Sequence, residues 1–258
     1  MSPKEILRLV SIFISVLLSQ PCVFAQGKIT RTDRYNQQHT VYPSNISKPS
    51  GIEMTHGYVD LGLSSGTLWA NCNIGASMPT DYGDYFAWAE IRAKKSYSRD
   101  NCTTYDIYYA DGIRDEIKSD TVRATIRIIG NPKYDAALAI WKGDWSLPSA
   151  ADFAELNIEC SWVYKIINGH KGYVITGPNG NSIFLPAGGY IDGTQKSQVG
   201  TGGFYWTGDY WDKYERSTSF NFTNTSHNGV IWSYRDKGKT IRPILKKSPQ
   251  HINWSREQ

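Results

Sequence analysis

The sequence lacks several features that identify common classes of protein. It has 28 lysine and arginine residues against 24 aspartate and glutamate residues, with a net charge of +4 and no run of five or more like charges. Nucleic-acid binding needs a concentrated basic surface for the phosphates, so we predict no nucleic-acid partner. No G-x-S-x-G or H-E-x-x-H motif occurs, so the usual sequence signatures of a hydrolase are missing.

Metal-binding patterns are missing as well. The chain has four cysteines without a C-x-x-C pair, and its five histidines are far apart in sequence, so we predict no zinc site. Asp81 and Asp84 could supply oxygen ligands to calcium. Aspartate beside glycine is typical of turns, however, and we predict neither a metal nor another cofactor. Sequence does not fix disulfide connectivity, and the pair that we favour is Cys72 with Cys160.

Long apolar runs are absent outside the N-terminus. There, a charged start and an apolar run of about ten residues precede a small-residue cleavage site that ends at Ala25. The run is about half as long as a membrane helix requires, so we predict an export signal and no transmembrane span. The protein is then secreted or on the cell surface. An alternative is an outer-membrane lipoprotein anchored at Cys22, which the preceding proline disfavours.

Composition divides the chain into four predicted parts. They are a signal peptide over 1–25, a flexible leader or linker over 26–55, one domain over 56–245 and a polar tail over 246–258. In the domain, Ser149 followed by Asp152 predicts a capped helix start. Asn168 and Gly169 predict a hairpin. Residues 93–133 lack periodicity, which indicates a long irregular insertion.

Aromatic residues are abundant near the C-terminus. Ten of the 31 residues from Phe204 to Tyr234 are aromatic, against 13% of the whole chain. One small core rarely needs that many rings, so some are expected on a contact surface. Strand alternation assigns five rings to the core: Phe204, Trp206, Phe220, Phe222 and Trp232. The candidates for ligand contact are Asp209, Tyr210, Trp211, Tyr214, Asn224, His227, Tyr234 and Arg235.

Ordered motifs between residues 56 and 244 resemble a known family. They are YVDLGL (58–63), SGTLWA (65–70), CNIGA (72–76), YGDYFAW (82–88), WSLPS (145–149), FAEL (153–156), GPNGNSIFLPA (177–187), YW (205–206) and IRP (241–243). Together they are similar to the Fibrobacter succinogenes major paralogous domain. The irregular 93–133 segment departs from that pattern, as does Ile241, where the family often has valine.

The resemblance implies an α+β fold of the C-type-lectin-like kind, related to formylglycine-generating enzymes. Such a fold has irregular antiparallel sheets, two short helices and chain ends that meet. It often carries ligand contacts in its C-terminal sheet and loops, and it occurs in secreted or surface proteins of bacteria. True C-type lectins bind sugar through calcium with Glu-Pro-Asn and Trp-Asn-Asp motifs, and this sequence has neither.

Three functions follow as hypotheses. The first is a non-catalytic module that binds a glycan or a surface protein through exposed rings, since flat aromatic faces stack well on sugars. The second is an assembly component of a bacterial surface structure. The third is an enzyme of the formylglycine-generating type, which needs a reactive cysteine pair in the C-terminal part. No cysteine follows Cys160, so we predict that the protein is not an enzyme.

Overall fold

A computed structural model describes residues 29–32, 38–41, 56–105, 127–211 and 215–246. The predicted signal peptide, Cys22 and the tail from residue 247 lie outside the described residues. Within the described ranges, no helix is both long enough and apolar enough to cross a membrane. Two short strands, β1 (Ile29–Thr32) and β2 (Gln38–Val41), pair antiparallel inside the predicted leader. The sequence does not predict this pair.

The other elements belong to the predicted domain. In chain order they are β3 (Tyr58–Asp60), β4 (Leu68–Ala70), a 3-10 turn (Arg99–Asn101), α1 (Ala136–Trp141), β5 (Trp145–Ser146), α2 (Ala150–Glu159), β6 (Ser161–Ile167), β7 (His170–Thr176), β8 (Ser182–Pro186), β9 (Tyr190–Asp192), β10 (Gln195–Ser197), β11 (Gly202–Tyr210), β12 (Arg216–Thr223), β13 (Ser226–Tyr234) and β14 (Ile244–Leu245). The described part thus combines two helices with mainly antiparallel sheets, which confirms the α+β class.

Both helices begin at side-chain caps. Asp135 caps α1 by accepting hydrogen bonds from the backbone N–H groups of Ala137 and Leu138. Ser149 and Asp152 form the predicted capping box at the start of α2. These oxygens satisfy N–H groups that have no partner within the helix, so both helix starts are fixed by local sequence.

One sheet brings the two ends of the domain together. Its strand order is β3-β4-β14-β5, and Ile244 of β14 pairs with Trp69 of β4 on one side and Ser146 of β5 on the other. Just before β14, the buried Arg242 donates hydrogen bonds to Asn73 Oδ1 at 2.8 Å and to the Phe184 carbonyl at 2.8 Å. The last segment of the domain is therefore joined to its first and middle parts.

Two three-stranded antiparallel sheets follow α2. The β6-β7-β8 sheet contains the hairpin predicted at Asn168 and Gly169. The β11-β12-β13 sheet contains most of the aromatic-rich stretch. Helix α2 lies between the two, with Phe153 and Leu156 fully buried in a core that both sheets share. That packing decides which rings of the last sheet are covered.

Candidate ligand-binding face

Strand register decides which side chains share a face of the β11-β12-β13 sheet. Phe220 of β12 pairs with Tyr205 of β11 and Val230 of β13, so these three side chains project to the same side. Phe220 and Tyr205 are fully buried there, and Phe220 stacks on Phe153 of α2 with ring centroids 4.5 Å apart. This end of the face is hydrophobic core.

The same face is open at its other end. Moving two and four residues along the strands from Phe220 and Val230, Thr218 pairs with Trp232 and Arg216 with Tyr234. Trp232 and Tyr234 are 42% and 46% exposed. These rings have the same strand parity as the core rings, but they lie beyond the part of the face that packs on the core.

Four side chains form what we call the ring platform: Trp211, Arg216, Trp232 and Tyr234. Trp232 and Tyr234 meet edge to face with centroids 5.6 Å apart, and the guanidinium of Arg216 lies 5.0 Å from the Trp232 ring centroid. Trp211 is 49% exposed, and its backbone N–H faces the Arg216 carbonyl at 3.4 Å. Strands β12 and β13, together with the residue that directly follows β11, therefore contribute to one exposed aromatic surface.

Polar contacts between β11 and β12 lie next to the ring platform. The Thr218 side chain is buried, and Thr218 pairs with Trp232. Its hydroxyl donates a hydrogen bond to the Asp209 carbonyl at 3.1 Å and is also hydrogen-bonded to the Thr207 hydroxyl. The register of β11 against β12 shifts between Trp206 and Tyr210, and such irregularities often change the direction in which the following side chains project. These contacts fix the strand ends that carry the rings.

The predicted contact residues do not form one site. Trp211 and Tyr234 belong to the ring platform, whereas Tyr214 lies outside the described residues. Asn224 is exposed in the turn between β12 and β13, and His227 follows it at the start of β13. His227 to Tyr234 spans seven residues of strand, roughly 20 Å at the usual rise, so one small ligand does not reach both.

His227 has structural contacts of its own. Its ring stacks on Trp162 with centroids 4.6 Å apart and planes 6° from parallel. Its Nδ1 lies 2.9 Å from Asn157 Oδ1 on α2, and the Asn157 amide donates to the His227 carbonyl. The half-buried imidazole therefore joins the sheet to α2. Of these two predicted contact residues, only Asn224 is fully exposed.

Asp209 and Tyr210 also point into the protein. The Asp209 carboxylate accepts a hydrogen bond from the backbone N–H of Ala150, at the first residue of α2. A carboxylate at a helix start satisfies a free donor and matches the positive end of the helix dipole. Tyr210 is half-buried with its ring 4.8 Å from the Trp88 centroid. Both residues position the strand that leads to Trp211.

Two predictions about single side chains are wrong. Arg235 was expected at the surface but is fully buried, where it donates to Ser217 Oγ at 3.0 Å and to the Tyr105 carbonyl at 3.1 Å. Its guanidinium also lies 4.7 Å from the Trp88 ring centroid. Trp232 was expected in the core and is exposed. Alternation along β13 gives the side of the sheet but does not show whether anything covers it.

The predicted bridge between Cys72 and Cys160 is not formed. Cys160 is a free thiol at the end of α2, packed against the core between the two three-stranded sheets, whereas Cys72 is buried in a separate core cluster. Burial, with Glu159 and Glu155 nearby, raises the pKa of the Cys160 thiol to about 11. A thiol with that pKa is almost entirely protonated at neutral pH and is a poor nucleophile.

Comparisons with known proteins identify no relative. No known protein family matches the chain, and neither a curated protein nor a solved structure matches it. Among the described residues, no three or more histidine, cysteine, aspartate or glutamate side chains are grouped closely enough to hold a metal ion. Inferences about function therefore depend on the chain's own geometry.

Proposed function

We propose that the protein is an exported, non-catalytic binding module whose ligand stacks on the ring platform. The observation that carries this proposal is the exposure of Trp211, Trp232 and Tyr234 at one end of one sheet. Large aromatic side chains are costly to leave in water, and contiguous exposed apolar surface usually marks an interaction site. Trp232 contacts both Tyr234 and the Arg216 guanidinium, so this ring loses little conformational entropy on binding.

A glycan is the ligand that this arrangement fits best. Flat rings present apolar faces to sugar C–H groups, while the Arg216 guanidinium beside Trp232 offers donors to sugar hydroxyls. The domain around the platform is a C-type-lectin-like fold in this proposal. It is supported by the two helices, the antiparallel sheets and the meeting of the domain ends through β14. Family membership stays a hypothesis from the sequence motifs.

A surface protein is the second candidate ligand, because β13 is the last strand of its sheet in the described part of the chain. An open strand edge can pair with a strand from another protein. Ile231, on the other side of β13 from Trp232, is 47% exposed and would add apolar contact. An assembly role in a surface structure belongs to this second candidate.

An enzymatic role of the formylglycine-generating type has less support. Cys160 is the last cysteine of the chain, and the raised pKa of its thiol disfavours the thiolate that such chemistry uses. Cys102 is buried, and burial also raises the pKa of its thiol. Neither cysteine supports a reactive pair.

The test is a glycan-array screen run beside a pull-down from bacterial surface extracts. We expect Trp232→Ala or Tyr234→Ala to weaken glycan binding about tenfold or more, the usual cost of losing a central aromatic contact. Ile166→Ala is the matched control, because Ile166 is 65% exposed on a different sheet. Unchanged glycan binding by both platform variants contradicts the proposed site. Retention of a surface protein without any glycan signal favours the second candidate.

A further inference from the structure

A cleft formed by other residues than the ring platform lies beside the start of α1. Its volume is about 540 Å³, within the usual range for small-molecule sites. Three segments line it: residues 89–94, residues 103–104, and the pair Lys133 and Tyr134 just before α1. Tyr134 is half-buried and packs against the neighbouring hydrophobic core. The cleft therefore combines an aromatic side chain with polar and charged groups.

Two charged groups of the cleft are already paired with each other. Glu90 is 7% exposed, and its carboxylate accepts a hydrogen bond from the backbone N–H of Thr103 at 2.7 Å and forms a salt bridge with Lys94 Nζ at 2.8 Å. The Lys94 ammonium also donates to the Asn101 carbonyl at 2.8 Å and to Asn101 Oδ1 at 3.1 Å. An ammonium has three N–H donors, so that of Lys94 has none left for a ligand.

Two other basic side chains of the cleft have no such partner. Arg92 and Lys133 are exposed, and neither forms a salt bridge with a carboxylate in the described ranges. The Lys133 ammonium lies 5.2 Å from the centroid of the Tyr134 ring. Glu90 is the only acidic residue among the described lining residues, and Lys94 neutralises it. Arg92 and Lys133 therefore give the cleft an excess of positive charge, which attracts anions.

The segments that carry these cations are held in place without a ligand. The backbone N–H of Lys94 donates to the hydroxyl of the buried Tyr97 at 3.0 Å. The backbone N–H of Lys133 donates to Asn131 Oδ1 at 3.1 Å, and the helix start that follows is capped by Asp135. Backbone that is already ordered loses little conformational entropy when a ligand binds.

We propose that this cleft binds a small organic anion of about the size of one sugar acid. Its carboxylate or sulfate group pairs with Arg92 and Lys133, and its ring lies against Tyr134. Guanidinium and ammonium groups are good partners for such oxyanions, and a flat aromatic side chain offers an apolar surface to a sugar ring. A cationic ligand is disfavoured, because the Glu90 carboxylate is buried and already paired. The site does not rest on the proposed function of the ring platform.

Three probes with the same sugar ring test the charge: glucuronate, glucose and glucosamine. They are negative, neutral and positive at about pH 7, and each is titrated into the full chain and followed by ligand-observed NMR. We expect glucuronate to bind about tenfold more tightly than glucose, the usual value of a charge-assisted hydrogen bond. Glucosamine should bind no more tightly than glucose.

Glucose 6-sulfate is a fourth probe, which distinguishes a sulfated ligand from a carboxylated one. A preference for either anion over glucose supports the proposal. Equal binding of glucose and both anions overturns it, as does a lack of binding of both anions.

Variants test the location. Arg92→Gln combined with Lys133→Gln should abolish the preference for glucuronate over glucose, and both side chains are exposed, so the fold should be retained. The matched control, Lys165→Gln combined with Lys171→Gln, removes two charges at exposed positions of β6 and β7 and should leave the preference unchanged. A preference that persists without Arg92 and Lys133 overturns the assignment. Trp232→Ala should leave glucuronate binding unchanged, and its loss in that variant would assign the anion to the ring platform and contradict this proposal.

Discussion

The two ends of one sheet face use aromatic residues in opposite ways. At the buried end, Tyr205 and Phe220 are inaccessible to water and pack on α2, whereas Trp232 and Tyr234 at the other end are nearly half exposed. All four lie on the same side of the β11-β12-β13 sheet. The strand pattern alone therefore does not decide which rings are covered, because only the buried pair packs on Phe153 of α2.

This comparison separates two causes of the high aromatic content. The buried rings are tightly packed. At Gly203, for example, a Cβ atom would lie 2.1 Å from the Phe222 ring. Only glycine fits at that position. Among the described residues, the ring contact of Trp232 and Tyr234 is with each other and not with a core ring, and stability alone does not account for them. Substitutions at the buried end should therefore lower the stability of the fold, whereas substitutions at the open end should mainly affect ligand binding.

The largest expected effect is at the buried end. Phe220→Ala removes a ring that is fully buried between Phe153 and Trp162. We expect the free energy of unfolding to fall by about 3–5 kcal/mol, because transfer and cavity costs add. Trp232→Ala is the matched change at the open end and should cost less than about 1 kcal/mol. Urea denaturation of both variants measures the difference. Similar losses would mean that the two ends do not differ in packing.

A second pair of substitutions compares two arginines. Arg235→Leu removes buried hydrogen bonds to Ser217 Oγ and the Tyr105 carbonyl, leaving acceptors without donors. We expect a loss of about 2–3 kcal/mol in the free energy of unfolding. Arg216→Leu, on the half-exposed platform, should cost less than about 1 kcal/mol. Urea denaturation again gives both values, and an Arg235 variant as stable as the wild type would return Arg235 to the list of surface candidates.

Local features of the fold were predictable from the sequence. The Ser149 and Asp152 capping box, the Asn168–Gly169 hairpin and the strand around Phe220 depend on neighbouring residues, and the structure confirms all three. The surface positions of Trp211 and Tyr234 are also confirmed. Capping and turn preferences act over a few residues, which is why a single sequence reveals them.

Features that depend on distant packing were not predictable. Arg235 follows an exposed tyrosine in a polar stretch, and nothing nearby indicates that Trp88 and Tyr105 enclose it. The exposure of Trp232 depends on which part of the sheet other elements cover, and strand alternation does not reveal that. The pairing of β14 between β4 and β5 joins segments about 100 to 175 residues apart. Such contacts leave no local pattern, so sequence reasoning misplaced these side chains.

The opposite face of the same sheet holds a buried lysine that extends the comparison. Lys239 is 3% exposed, and its ammonium donates to Ser219 Oγ at 2.8 Å and lies 4.5 Å from the Trp206 ring centroid. It forms no salt bridge with a carboxylate among the described residues. Burial without a countercharge lowers the pKa of Lys239 from 10.5 to about 7. The covered part of the sheet should therefore respond to pH.

The expected response has a definite direction. Between about pH 7 and pH 10.5 the unfolded chain holds more protons at Lys239 than the folded chain does, so stability rises with pH in that window. Relative to Lys239→Met, the wild type should gain about 2 kcal/mol in the free energy of unfolding between pH 7 and pH 9. Urea denaturation at both pH values measures this gain. Trp232→Ala should keep the wild-type pH dependence, because the ring lies at the open end. A pH dependence shared by the wild type and Lys239→Met would show that Lys239 is charged or hydrated in the folded state and does not belong to the buried region.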